Sequence, residues 1–265
     1  MVTGVTSRGI YLQPRGDLTL YLTADPFRGP LTLNVRDESD NLASIQPFDA
    51  AERIDDLLRF KISQQGIAFH KPLVWKPAVP PYPPKRTPES YTKLFHQVQT
   101  AHPAHPYLPL LEMVITGKPI PLEDLPGFEE KVIQLLRSLT KADASDMISK
   151  MESFLGAGPG LTPLGDDLLL GILLTAARAR GYTHWPGELI DFYHPVISEA
   201  EEKTTRLSWS LLNCAIQGTG DERIIRVLDS LIAGRIIPDQ DLENLLDWGS
   251  SSGMAVLAGI LMALA

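Results

Sequence analysis

Asp166 and Asp167 close the stretch Gly156-Ala-Gly-Pro-Gly-Leu-Thr-Pro-Leu-Gly-Asp-Asp167, and two carboxylates behind a glycine-rich loop are this chain's first candidates for chemistry. Gly156, Gly158 and Gly160 alternate with Ala157 and Pro159, so the backbone can take positive φ and approach a ligand with no Cβ in the way. Thr162 reads as an N-cap and Pro163 as the first helical residue, with Gly165 in the first turn. A loop of this kind presents N–H groups at the positive end of a helix dipole, which suits an anion. The standard phosphate motifs do not fit. A P-loop needs Gly-Lys-Ser/Thr where this chain has Gly165-Asp166-Asp167, and a dinucleotide fingerprint needs a preceding strand. Here Met147, Ile148, Met151, Phe154 and Leu155 recur at helical spacing instead. Neighbouring residues on a helix point about 100° apart, so the two carboxylates cannot share one ligand. Asp166 is expected to line the pocket and Asp167 to orient the loop amides or join a cation site, with the two assignments open to exchange.

Two further segments carry suitable groups. In Thr204-Thr-Arg-Leu-Ser208, Thr204 and Ser208 stand four apart on one face of an expected helix. These hydroxyls and that of Thr205 could bond a small polar ligand, and Arg206 could pair with its carboxylate or phosphate. The bland alternative is hydroxyls bonded back to helix carbonyls and an exposed Glu202–Arg206 pair. Near the C-terminus Gly249-Ser-Ser-Ser-Gly253 opens an apolar helix, and Ser251, Ser252 and Gly253 offer a second set of helix-start donors. Ala255, Gly259 and Ala263 recur every fourth residue, so another helix, the one carrying Asp166, can pack closely there.

The elements that must position these groups divide the chain into a β-rich module at 1–76, a proline-rich connector at 77–89 and a helical domain at 90–265. Strands are expected at Ile10–Leu12, Leu18–Thr23, Leu31–Val35, Ile67–Phe69 and Leu73–Trp75, with turns at Pro14–Asp17 and Asp25–Pro30. The spacing of Ile54, Leu57 and Leu58 predicts a short helix within Asp49–Phe60. Beyond the prolines, helices are expected at Ser90–Thr100, Tyr107–Ile115, Phe128–Leu139, Asp143–Leu155, 162–180, Leu189–Thr205 continuing to Gln217, Glu222–Ala233, Asp239–Leu246 and from Ser252. The fold class is therefore α+β, an N-terminal β-rich sandwich or barrel-like module followed by a mainly α-helical domain.

Composition narrows the partners. With 24 Lys+Arg against 32 Asp+Glu the net charge is −8, and no basic run offsets it, so nucleic acid is not an expected partner. The apolar stretches Leu168–Leu174 and Met254–Ala265 are short of the ~20 residues of a membrane span. Cys214 is the single cysteine, and the first residues lack a signal-peptide pattern, which points to the cytoplasm. His96, His102 and His105 cluster, but no Cys or carboxylate stands at ligand spacing near them, so they are read as surface-loop residues, with His184 and His194 standing alone and no metal site assigned.

The three motifs, in this order, resemble the AllH-type family, linked to one subunit of the oxamate carbamoyltransferase of ureide catabolism. The resemblance covers roughly residues 150–265 and rests on the Gly156–Asp167 motif, on Thr204–Ser208 with Leu211 and Leu212, and on Gly249–Gly253 with Gly259. It departs at Leu164, where the family usually has a small residue. It implies carbamoyl transfer between oxamate and phosphate by an assembly of different subunits, with companion proteins as partners and a small anionic metabolite, carbamoyl phosphate or an oxamate-like acid, as ligand. Asp166, Asp167 and Arg206 are the candidate catalytic groups. Two other readings stand beside it: an anion-sensing or scaffold subunit without turnover, and a phosphotransfer enzyme with Mg²⁺ at the aspartates.

Overall fold

The computed structural model describes residues 1–14, 18–35, 40–68, 74–78, 88–141, 143–179 and 189–264. The expected turn at Pro14–Asp17, the end of the strand at Phe69, the start of that at Leu73, most of the proline connector, the last residue of the 162–180 helix and His184 lie largely or wholly outside them. The chain divides into two compact units, Met1–Pro77 and Ala78–Ala265.

The first unit holds β1 (Val2–Thr6), β2 (Gly9–Leu12), β3 (Leu20–Thr23), β4 (Thr32–Asn34), a short helix α1 (Asp40–Ala43), β5 (Ala51–Ile54), β6 (Leu57–Phe60) and β7 (Gly66–Ala68). The strands form two small sheets, ordered β1-β2-β3-β4 and β5-β6-β7. All pairings are antiparallel except β3 with β4. Val2, Ile10, Leu12, Leu22, Ile45 and Phe60 form the core of this unit. The helix expected within Asp49–Phe60 is instead the β5–β6 hairpin, paired Ala51↔Phe60 to Ile54↔Leu57. Asp55 takes φ 51° at its turn, a conformation in which an Asp side chain is tolerated far better than a branched one, and that reversal breaks the apparent helical period. Asp49 anchors the hairpin: its carboxylate accepts the amides of Ile62 at 2.7 Å and Ser63 at 2.9 Å. Val74 and Trp75, expected in a strand, lie in irregular chain.

The second unit is helical: α2 (Pro88–Ala101), α3 (Leu108–Thr116), α4 (Phe128–Lys141), α5 (Ala144–Glu152), α6 (Leu164–Arg178), α7 (Leu189–Lys203), α8 (Arg206–Ile216), α9 (Glu222–Ile232), α10 (Asp239–Leu246) and α11 (Ser252–Leu264). The α+β class read from the sequence is thus borne out. Its centre is the pair α6 and α11, the two helices that are apolar on nearly every face and correspondingly buried. Their backbones touch. A Cβ on Gly259 would stand 2.1 Å from the Leu168 carbonyl oxygen, and one on Gly171 2.2 Å from that of Val256. Thr162 meets Ser252 and Leu168 meets Gly259, so contacts advance together along both helices and the two run parallel with their N-termini side by side.

The far end of α6 is tied by Arg178, which is 1 % exposed. Its guanidinium grips Asp229 on α9 through Nε at 2.9 Å and Nη2 at 2.7 Å, and donates to the carbonyls of Gly218 and Ala78 at 2.9 and 2.6 Å. Four of the five N–H donors of this planar fork thereby have partners, which is how a buried arginine is tolerated.

Candidate functional site

The site lies where the N-termini of α6, α8 and α11 meet, and the loop before α6 is its frame. Gly156 has φ +70°, and a Cβ there would stand 2.3 Å from the Lys203 carbonyl, so this glycine lets the loop rest on the end of α7. Gly158 and Gly160 also take positive φ, 112° and 104°. A Cβ on Gly165 would reach 2.1 Å from the Phe154 carbonyl, so the first turn of α6 lies directly on the chain leaving α5. Leu164, 2 % exposed, lies against Gly158 of the loop.

Thr162 is not the N-cap. Pro163 holds that position with φ −52° and ψ 146° and makes no side-chain cap, while its carbonyl accepts the amides of Asp166 and Asp167 at 2.9 and 3.1 Å. Placing proline one residue earlier than expected frees the Thr162 hydroxyl, which bonds Ser252 Oγ across the α6–α11 seam at 3.1 Å. The helix-start donors are also less open than the sequence suggests. Gly165 donates to Ala157 at 2.8 Å, and Gly253 to Trp248 at 3.0 Å. Among the described residues the amides of Gly158, Gly160 and Leu161 have no backbone acceptor, and they sit in the outward part of the loop.

The two carboxylates go to opposite jobs. Asp166, 2 % exposed, accepts the Gly156 amide at 2.9 Å on Oδ1 and the Thr204 hydroxyl on Oδ2, so it is Asp166 that orients the loop. Burial raises its pKa, opposed by these bonds and by the nearby Ser208 hydroxyl. That hydroxyl lies close enough to favour the carboxylate, yet Ser208 Oγ is buried without a hydrogen bond of proper geometry. Asp167, 1 % exposed, faces the Thr162 and Ser252 hydroxyls instead. Its Oδ2 is buried with no hydrogen-bond partner, and burial pushes the carboxyl up to about 8, so it holds its proton at neutral pH.

The second motif is not one continuous helix. The chain breaks between α7 and α8, and Thr205 caps α8, its hydroxyl accepting the Ser208 amide at 3.1 Å and donating to the Leu161 carbonyl at 2.6 Å. An extended cap geometry competes successfully with helix here because a threonine side chain can replace the missing backbone acceptor. The break keeps both Thr204 and Ser208 against Asp166, although not by the four-residue spacing of a helix. Arg206 is exposed at the start of α8. Ser252 is buried, Ser251 half-buried, and Ser251 supplies the carbonyl that starts α11 by accepting Ala255 at 3.0 Å.

One neighbour of the third motif has no signal in the sequence. His105 comes to the Ser250 backbone, 145 positions away in sequence, and its Nδ1 accepts the Tyr107 amide at 3.1 Å. His102 sits beside it with Nε2 3.0 Å from Glu243. Both lie in the loop between α2 and α3, as expected, but half-buried, and burial followed by the proximity of His102 lowers the pKa of His105. Among the described residues no group of three or more His, Cys, Asp or Glu could hold a metal ion, and no helix is long and apolar enough to cross a membrane.

The candidate site is thus a polar, largely buried junction of three helix N-termini, carried by two parallel apolar helices. Residues 154–264, from the end of α5 through α11, match the family described as oxamate carbamoyltransferase subunit AllH. The resemblance read from the three motifs is borne out over that stretch, which contains all of them. Comparison with curated proteins and with solved structures found no match.

Proposed function

We propose that this chain serves as a subunit of an oxamate carbamoyltransferase or of a close relative, and binds a small carbamoyl-bearing acid where α6, α8 and α11 begin. The observation that carries the proposal is the Thr162–Ser252 hydrogen bond beside buried Asp167, because it joins two motifs of the matched family region around an unsatisfied carboxyl oxygen. The outward amides of Gly158, Gly160 and Leu161 suit the phosphate or carboxylate end of such a ligand. Asp166 acts as a positioning residue, locking loop to helix, and exposed Arg206 is a second candidate for the anionic end. In the transfer itself a phosphate oxygen attacks the carbamoyl carbon of oxalurate and the carbon–nitrogen bond to oxamate breaks. The proton carried by the phosphate ends on the leaving amide nitrogen.

Ligand-induced stabilisation of the full chain tests this reading. Carbamoyl phosphate or oxamate at a hundred times its Kd should stabilise the fold by about 2.7 kcal/mol. No shift with either compound, or with phosphate or oxalurate, would remove the ligand site. Binding with no turnover even beside companion subunits would favour a sensing or scaffold subunit.

A further inference from the structure

Burying a carboxyl oxygen without a partner costs on the order of 1–3 kcal/mol, so a site that keeps one has a use for it. Asp167 Oδ2 is such an atom, and it lies within a side chain that is 1 % exposed, on the first turn of the 15-residue helix α6. The groups around it are uncharged or acidic. The Thr162 and Ser252 hydroxyls face it and bond each other, and Asp166, spent on Gly156 and Thr204, is the nearest ionisable neighbour. From α11 it is the Ser252 hydroxyl that faces it, while Gly253 lies against Leu245 and Leu246 of α10. Among the described residues, none of these groups is a cation that could meet a bare anion. A neutral carboxyl group, however, both donates and accepts, and its complement in size and pattern is a primary amide, whose N–H can reach the carboxyl oxygen while its carbonyl accepts the carboxyl O–H. Gly160 and Leu161, just before Thr162, and Ser250, two residues before Ser252, are exposed.

Resting on the function proposed above, we infer that Asp167 is the specificity residue that recognises the carboxamide end of the ligand, with Thr162 and Ser252 holding it in place. The loop amides would then see only the anionic end, and an analogue of equal shape without N–H would leave Oδ2 unpaired.

Oxamate and pyruvate make the comparison, since they differ by NH₂ against CH₃ on the same keto-acid frame. Titration calorimetry of the full chain should give oxamate at least about tenfold tighter binding than pyruvate. Asp167→Asn, which keeps a donor and an acceptor, should retain that preference, whereas Asp167→Ala should abolish it while circular dichroism and the melting profile report an intact fold. Equal affinities in the unaltered chain would overturn the inference and leave the proposed function standing, with Oδ2 served by a water. Binding of neither acid, nor of carbamoyl phosphate, would overturn both. If Asp167→Ala does not fold, the comparison of unaltered chain with Asp167→Asn decides alone: loss of the preference in Asp167→Asn would also count against the inference.

Discussion

Replacing Asp166 separates what its charge does from what its shape does. Asp166→Ala removes the acceptor of the Gly156 amide and of the Thr204 hydroxyl together. Each abandoned group costs about 1–3 kcal/mol when fully buried. Gly156 and Thr204 are half-buried, so water relieves part of that cost, and the expected loss is about 2–4 kcal/mol for the pair. In a domain of this size each kcal/mol moves the melting point by roughly 2–4 °C. Asp166→Asn should behave differently. Its oxygen can still accept from Gly156, its NH₂ can donate to Thr204 Oγ once that hydroxyl turns, and the charge whose burial raises the Asp166 pKa is gone. We expect it to cost less than about 1 kcal/mol at neutral pH. Denaturant unfolding of the two variants, read as midpoint shifts at unchanged slope, measures the difference. An asparagine as damaging as alanine would mean that the negative charge, not the hydrogen-bond geometry, holds the loop, and the positioning role argued above would be wrong.

Three other perturbations have expected outcomes. The Asp167 carboxyl is raised from 3.8 to about 8, and a group with a raised folded pKa contributes stability below its unfolded value that is lost as pH rises through the folded one. Asp167→Asn should therefore gain stability relative to the unaltered chain between about pH 4 and 8, the gap widening with pH, and a gap that narrowed would contradict the assignment. Gly259→Ala must push α11 away from the Leu168 carbonyl and should cost about 1–3 kcal/mol or more, measurable by thermal unfolding. Arg178→Met strands the partly buried Asp229 carboxylate and should cost about 3–5 kcal/mol, with Arg178→Met/Asp229→Leu recovering much of the loss in a double-mutant cycle.

How far these features could be read in advance depended on how local their causes are. The helices of the second unit announce themselves through apolar spacing, and the close packing of α6 on α11 through Gly259 and its fourfold neighbours, because each helix face is written in consecutive turns. The hairpin at Ala51–Phe60 does not show itself in the same way, since Ile54, Leu57 and Leu58 mimic one helical face. The better signal was Asp55-Asp56, a turn pair that costs little at positive φ. The break before α8 was hidden because a threonine is permitted within a helix as well as at its cap. In the site, the residue types were legible but their division of labour was not. Adjacent aspartates look alike in sequence, and only packing sends Asp166 to Gly156 and leaves Asp167 Oδ2 alone. The approach of His105 to Ser250 depends on the path of the whole helical unit, so no local pattern contains it.

The central claim, that this chain works as one subunit of a carbamoyl-transferring assembly, is tested most directly by the phosphorolysis of oxalurate. Carbamoyl phosphate formation should be measured with the purified chain alone, with its companion subunits alone, and with all of them together. The account predicts no turnover by the chain alone, because its three motifs contain no histidine, lysine or cysteine and Asp167, the carboxyl raised towards neutral pH, is assigned to holding the ligand and not to proton transfer, and sustained turnover only when the full set is present. Robust turnover by the single chain, or undiminished turnover by the companions without it, would contradict the account.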